Sequence, residues 1–229
     1  MDLTPEEVRV LGCLVEKALT TPQQYPLTLN SLALACNQSS NRDPVVSYDE
    51  SAVEAAVTQA KSRGLARFVH PSHGRSVLRY RHELAEQLGL DQPQMALLGV
   101  LMLRGPQTPG ELRSRTERMA AFADLHEVEA ELAALADRQE PLVLRLGRSP
   151  GQKEDRFAHA FEAPSSDQVS LLSTVGAPSP PSTAAAPFPS STAAAPSEVA
   201  RLFAEVARLE AELASLRRQV EALRPGDDR

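Results

Sequence analysis

TPEEVRVLGCLVEKALTTPQQYPLTLNSLALACNQ, running from Thr4 to Gln38, opens on the start signals of a helix. Thr4-Pro5-Glu6-Glu7 is a capping box with proline at the first helical position. The Thr4 hydroxyl and the Glu7 carboxylate each satisfy an amide that the helix leaves unpaired. Val8, Leu11, Leu14, Val15 and Ala18 follow at helical spacing. Thr28 then opens a second amphipathic helix. Ser47-Tyr48-Asp49-Glu50 reads as another box, ahead of Val53, Ala56, Val57 and Ala60, with Gly64 as a natural C-cap. Beyond it Leu65–Val69 and Val77–Tyr80 read as strands around the turn-rich segment from His70 to Gly74. Three helices followed by a hairpin is the winged-helix order.

Downstream the order recurs. Asp91 caps a helix carrying Met95, Leu98, Leu101 and Met102; Thr108-Pro109-Gly110-Glu111 caps a second, and Asp124 a third with Val128, Leu132 and Leu135. Strands at Leu142–Leu146 and Arg156–Ala158 flank the turn at Gly147–Gly151. Leu11-Gly12 answers to Leu98-Gly99, and Arg79-Tyr80-Arg81-His82 to Arg156-Phe157-Ala158-His159. The expected architecture is mainly α with small β-hairpins: two tandem winged-helix domains, 1–85 and 86–163.

From 164 to 196 the composition turns to Pro, Ala and Ser, with seven prolines and a repeated STAAAP, so this stretch is expected to be a disordered linker. The segment 197–224 has an unbroken heptad. Val199, Val206, Leu213 and Val220 take the a positions, and Leu202, Leu209, Leu216 and Leu223 take every d. Such spacing predicts a coiled-coil helix that makes the chain a homodimer. Val at three of four a positions and Leu at every d favour two strands; this core pattern alone favours parallel over antiparallel, since the e and g charges suit both equally. Pro225-Gly226 ends it and leaves 225–229 as a tail.

The stretches LGCLVEKALTTPQQYPLTLNSLALACNQSSNRDPV (Leu11–Val45) and LMLRGPQTPGELRSRTERM (Leu101–Met119), with the RYRH and RFAH strand ends, resemble signature segments of the YceH-like family of bacterial proteins. The resemblance spans about residues 1–163. It implies tandem winged helices and a bacterial cytosol, and says little about activity.

Composition narrows the function classes. The net charge is −6, and the sequence has no apolar run near the roughly 18 residues a membrane span needs. MDLTPEE lacks the features of a signal peptide. Cys13 and Cys36 lie on apolar helical patterns without metal-ligand spacing, which fits a reducing cytoplasm. No phosphate-cradling glycine loop, nucleophile elbow or zinc-protease helix occurs, so neither an enzyme nor a cofactor is expected.

Winged helices commonly read DNA with the third helix. Here that helix begins with Asp49, Glu50 and Glu54 in the first unit and Glu127, Glu129 and Glu131 in the second. Carboxylates there repel phosphates, and neither unit has the basic excess that supplies backbone affinity. Residues that can touch a nucleic acid or a protein partner are Arg113, Arg115 and Arg118, the densest basic cluster, and Gln38, Asn41 and Arg42 in a long loop. The arginines offer planar forks for phosphate, although Glu111–Arg115 also has the spacing of a helical ion pair. The reading is a non-enzymatic protein-interaction scaffold with an unidentified protein partner. Its alternative is a noncanonical DNA-binding transcriptional regulator making mainly phosphate contacts.

Overall fold

A computed structural model describes residues 1–70, 77–146 and 154–162. The expected linker and coiled coil, with all eight heptad core positions, lie outside the described residues. What is described is mainly helical, with small antiparallel sheets, and is winged-helix-like.

Helix α1 (Pro5–Thr20) starts at the Thr4–Glu7 box, with both reciprocal bonds formed. A 3-10 turn at Pro22–Gln24 and the short strand β1 (Leu27–Thr28) lead to α2 (Leu29–Cys36), capped by the Thr28 hydroxyl. α3 (Glu50–Ser62) is capped by Asp49, whose carboxylate accepts from the Ala52 amide. The box expected from Ser47 therefore begins two residues late, because Asp49 is the residue standing three before a free helical amide. β2 (Ala66–Val69) and β3 (Arg79–His82) form the hairpin, with Phe68 opposite Tyr80 and Ala66 opposite His82. The second strand was expected at Val77–Tyr80. Pairing instead runs on through His82, because Ala66 and Arg67 still need partners, and Val77 is left exposed.

After the short α4 (Leu84–Leu88) the order returns: α5 (Gln92–Arg104), α6 (Pro109–Thr116), α7 (Leu125–Ala136), then β4 (Val143–Leu146) paired with β5 (Arg156–His159). The likeness extends to a detail. β1 lies against β3 with Leu27 opposite Tyr80, just ahead of the Thr28 cap. Gln107 likewise bridges Phe157, just ahead of the Thr108 cap.

Both halves feed one hydrophobic core, in which Leu11, Leu14, Leu98 and Leu101 are fully buried. At roughly 1.5–3 kcal/mol for each such side chain, this shared layer is a main source of stability. α1 and α5 meet closely because each has a glycine at the contact. A Cβ on Gly12 would stand 3.0 Å from Leu103 Cγ, and one on Gly99 2.9 Å from Val15 Cγ1. Around position 85, where the two units were expected to divide, Leu84 and Leu90 are themselves core residues. The chain ends of this body also meet, through the Leu3 amide donating to the Phe161 carbonyl at 2.7 Å.

Candidate functional site

The long loop between α2 and α3 is built as a bridge. Asn37 closes its base, accepting from the Tyr48 amide at 2.8 Å and donating to the Tyr48 carbonyl at 2.7 Å. Arg42 turns inward with a fully buried side chain. Its five N–H donors reach the Ala35 and Asn41 carbonyls, both Glu16 carboxylate oxygens and Gln38 Oε1, all within 3.1 Å. Burial pushes the Glu16 pKa up, but its hydrogen bonds and charge contact with Arg42 prevail and hold it below the ordinary carboxylate value. Arg42 and Gln38 thus tie the loop to α1. Beyond them the Asp43 amide donates to the Leu103 carbonyl at 2.9 Å, and Asn41, at φ 61°, accepts from Arg104. The N-terminal half is stitched to the end of α5 at this point.

A cleft of about 390 Å³ opens beside those stitches, lined by Asn41, Asp43, Arg104, Glu111, Arg115 and Arg156, with Arg42 and Gln107 behind. Arg156 donates to the Pro106 carbonyl at 2.7 Å and stands 3.4 Å from Glu111; Arg115 stands 3.5 Å from the same carboxylate. Glu111 also accepts from the Thr108 amide to complete its capping box. Among the described residues no carboxylate pairs directly with Arg104. Burial lowers the Arg104 pKa first, and the charges of Arg115 and Arg42 lower it further.

The three arginines expected to act together part company. Arg115 and Arg118 line the neighbouring depression with Asn41 and Arg104. Arg113 lines a separate, adjoining depression, where it donates to the Ala123 carbonyl at 2.9 Å beside Phe122. Arg104 and Arg156 belong to the cleft although the sequence did not single them out. Arg104 looks like an ordinary cation at a helix end, and Arg156 lies in a strand far along the chain.

A second concavity, about 570 Å³, lies between α7 and the β4–β5 hairpin. Pro109, Leu125, Ala133, Ala136 and Phe157 supply its apolar lining, and Leu125 is 39% exposed. Among the described residues Glu129, Asp137, Glu154 and Asp155 stand on it with one cation, Arg145, which bonds Asp155 through Nε at 2.8 Å. The acidic residues of the third helices divide by role. Glu50 accepts from Asn30 at 3.1 Å, Glu127 from the Ala123 amide at 2.6 Å, and Glu131 from Gln94 at 2.9 Å. Glu54 and Glu129 are exposed.

Cys13 and Cys36 are both buried and unpaired. The hydrogen bond to Cys13, together with burial, pushes the Cys36 thiol well above its ordinary value. Among the described residues no group of three His, Cys, Asp or Glu side chains is arranged to hold a metal. None of the described helices is long and apolar enough to cross a membrane.

Comparison with other sequences gives consistent relatives. The family described as "Protein of unknown function, DUF480" matches residues 3–152. A "UPF0502 protein" of Pelobacter propionicus is 56% identical over 159 residues, covering 69% of this chain and 72% of its own length. One from Geobacter sulfurreducens is 55% identical over 157 residues, 69% of this chain and 71% of its own. One from Opitutus terrae is 51% identical over 180 residues, covering 78% and 76%.

Proposed function

This chain belongs to the DUF480 family of bacterial proteins, and on that premise we propose that it is a non-enzymatic protein-docking scaffold. The scaffold consists of two winged helices in tandem, of the YceH-like kind, brought together in pairs by the heptad segment 197–224. The observation that carries this reading is the groove on α7. Where a DNA-reading winged helix offers its third helix to phosphates, this one offers an apolar trough on which the described residues place four carboxylates and one arginine. A surface of that kind repels a polyanion and suits the apolar face of a cationic segment of a partner protein. A reducing cytoplasm fits the two unpaired cysteines.

The test compares two synthetic amphipathic peptides with the same apolar residues, one carrying Lys and the other Glu on the polar face. Fluorescence anisotropy should register the Lys peptide, weakening as salt rises. Ala133→Arg, which fills the trough and lessens its negative charge, should abolish that binding. Equal binding of both peptides, or binding indifferent to Ala133→Arg, would remove the groove as a docking site. The alternative, a DNA-binding regulator, has less support because Arg113 lines a different depression from Arg115 and Arg118. Heparin or duplex retention that falls with salt measures what remains of it.

A further inference from the structure

We propose that the cleft between the α2–α3 loop and the α5–α6 junction binds a phosphoryl group of a small ligand. Arg104, Arg115 and Arg156 line it together, with Arg42 behind them. Arg42 is spent on Glu16. Arg115 and Arg156 divide one carboxylate, Glu111, at 3.5 and 3.4 Å, and that carboxylate also caps α6. Among the described residues Arg104 has only the neutral amide oxygen of Asn41 as a hydrogen-bond partner. Counting Glu16, Glu111 and Asp43 against the four arginines leaves one positive charge in a partly buried place. Burial and the neighbouring guanidiniums both act against the Arg104 charge; an anion seated among them would relieve that crowding.

Size and donor geometry narrow the anion. A cavity of about 390 Å³ is within the range of small-molecule sites and has no room for a folded segment. Planar guanidinium forks bind phosphate and carboxylate oxygens in pairs. Three forks arriving from three elements exceed what one planar carboxylate can accept, and match the several acceptor oxygens of a tetrahedral phosphoryl group. Such a ligand would touch Asn41 from one half, and Arg104, Arg115 and Arg156 from the other. It would therefore hold together the junction already made by Asp43 and Leu103. This inference is independent of the groove on α7.

The experiment separates a small phosphate from the phosphates of a nucleic-acid backbone. The full chain, in chloride buffer, is titrated with inorganic phosphate, glycerol 3-phosphate and a short DNA duplex, following heat and the side-chain N–H resonances of arginine. Both small phosphates should bind saturably, at about 1 mM or tighter. They should shift the Nε–H signals of Arg104 and Arg115 and leave that of Arg113 in place. Arg104→Gln and Arg115→Gln should each weaken binding by about tenfold, a loss of about 1.4 kcal/mol. The wild-type resonances read the site even if a variant folds poorly. No saturable shift at about 10 mM overturns the proposal, as does unchanged affinity in both variants. Binding of the duplex without either small phosphate also overturns it, and moves the arginines to a nucleic-acid surface.

Discussion

Gly12 of α1 and Gly99 of α5 make one helix crossing from both sides: a Cβ on the first would press on Leu103, and a Cβ on the second on Val15. The two positions answer to each other in the repeated Leu-Gly pair of the sequence. Their chemistry here is closeness of approach, since both lie inside helices, where glycine otherwise costs about 1 kcal/mol relative to alanine.

Substitution at these positions sets that propensity gain against overpacking, which costs roughly 1–3 kcal/mol. Val15 is β-branched and held at χ1, and it would be met at 2.9 Å, so overpacking wins at Gly99. Gly99→Ala should lower the urea midpoint, and Val15→Ala in the same chain should recover part of the loss. At Gly12 the nearest atoms stand slightly farther off, at 3.0 Å from Leu103 and 3.1 Å from Met102 Cβ, and Leu103 is not β-branched, so Gly12→Ala should cost less. A Gly99→Ala protein as stable as the parent would show that the helices have room to spare.

Arg42 and Glu16 make the buried ion pair of the junction, at 2.7 Å. Removing one partner leaves a buried charge, which costs about 3–5 kcal/mol. Glu16→Ala should therefore destabilise strongly, and Glu16→Ala with Arg42→Met should be milder than the sum of the two single changes. Because the folded-state pKa of Glu16 is depressed, this contribution is complete above the unfolded carboxylate value near 4.3 and fades as pH falls below it. Additive losses in a double-mutant cycle would contradict direct coupling.

His82 and His159, at matching strand ends, are both lowered by burial to a pKa of about 4. In the window between the unfolded value near 6.5 and that folded value, the unfolded chain binds more protons than the native one. Stability should be full above about pH 6.5 and fall on acidification towards pH 4, by up to about 3 kcal/mol for each ring. Unfolding midpoints at pH 7.5, 5.5 and 4.5 measure this. His82→Phe with His159→Phe should flatten the curve, and an unaltered slope in that double variant would assign the pH dependence elsewhere.

Limited proteolysis should cut first within 164–196 and leave a fragment near 1–163. The connection around α4 should resist, since Leu84 is fully buried and Leu90 nearly so. Early cleavage between Glu83 and Asp91 would mean that the shared core opens readily.

The heptad of 197–224 predicts a dimer for the full chain and a monomer for a chain ending at Ala163, in sedimentation at micromolar concentration. Leu209→Pro should break the helix and the dimer together. If the shortened chain dimerises equally well, assembly belongs to the helical body.

Local signals carried much of this reading. Thr4, Thr28, Asp91, Thr108 and Asp124 all cap the helices that they announce, because capping involves residues only three apart. The second hairpin appears within a residue of its expected bounds. What was not legible depends on distant partners. Gln38 and Arg42 look like polar loop residues until Glu16, twenty-six positions before Arg42, takes up its guanidinium. Arg115 and Arg113 look alike until α5 and the α2–α3 loop arrive beside only one of them. The shared core was equally hidden, since each of the two expected units has, in the sequence, the helix and hairpin signals of a self-sufficient domain.

The packing of α5 on α1 has a consequence for synthesis. Residues 1–82 leave the ribosome with every local element they need, yet α1 still lacks α5 to cover Gly12 and Val15. At roughly 5–20 residues per second, the chain from His82 to Arg104 takes about one to four seconds to appear. During that interval an apolar helix face waits uncovered in the company of other nascent chains.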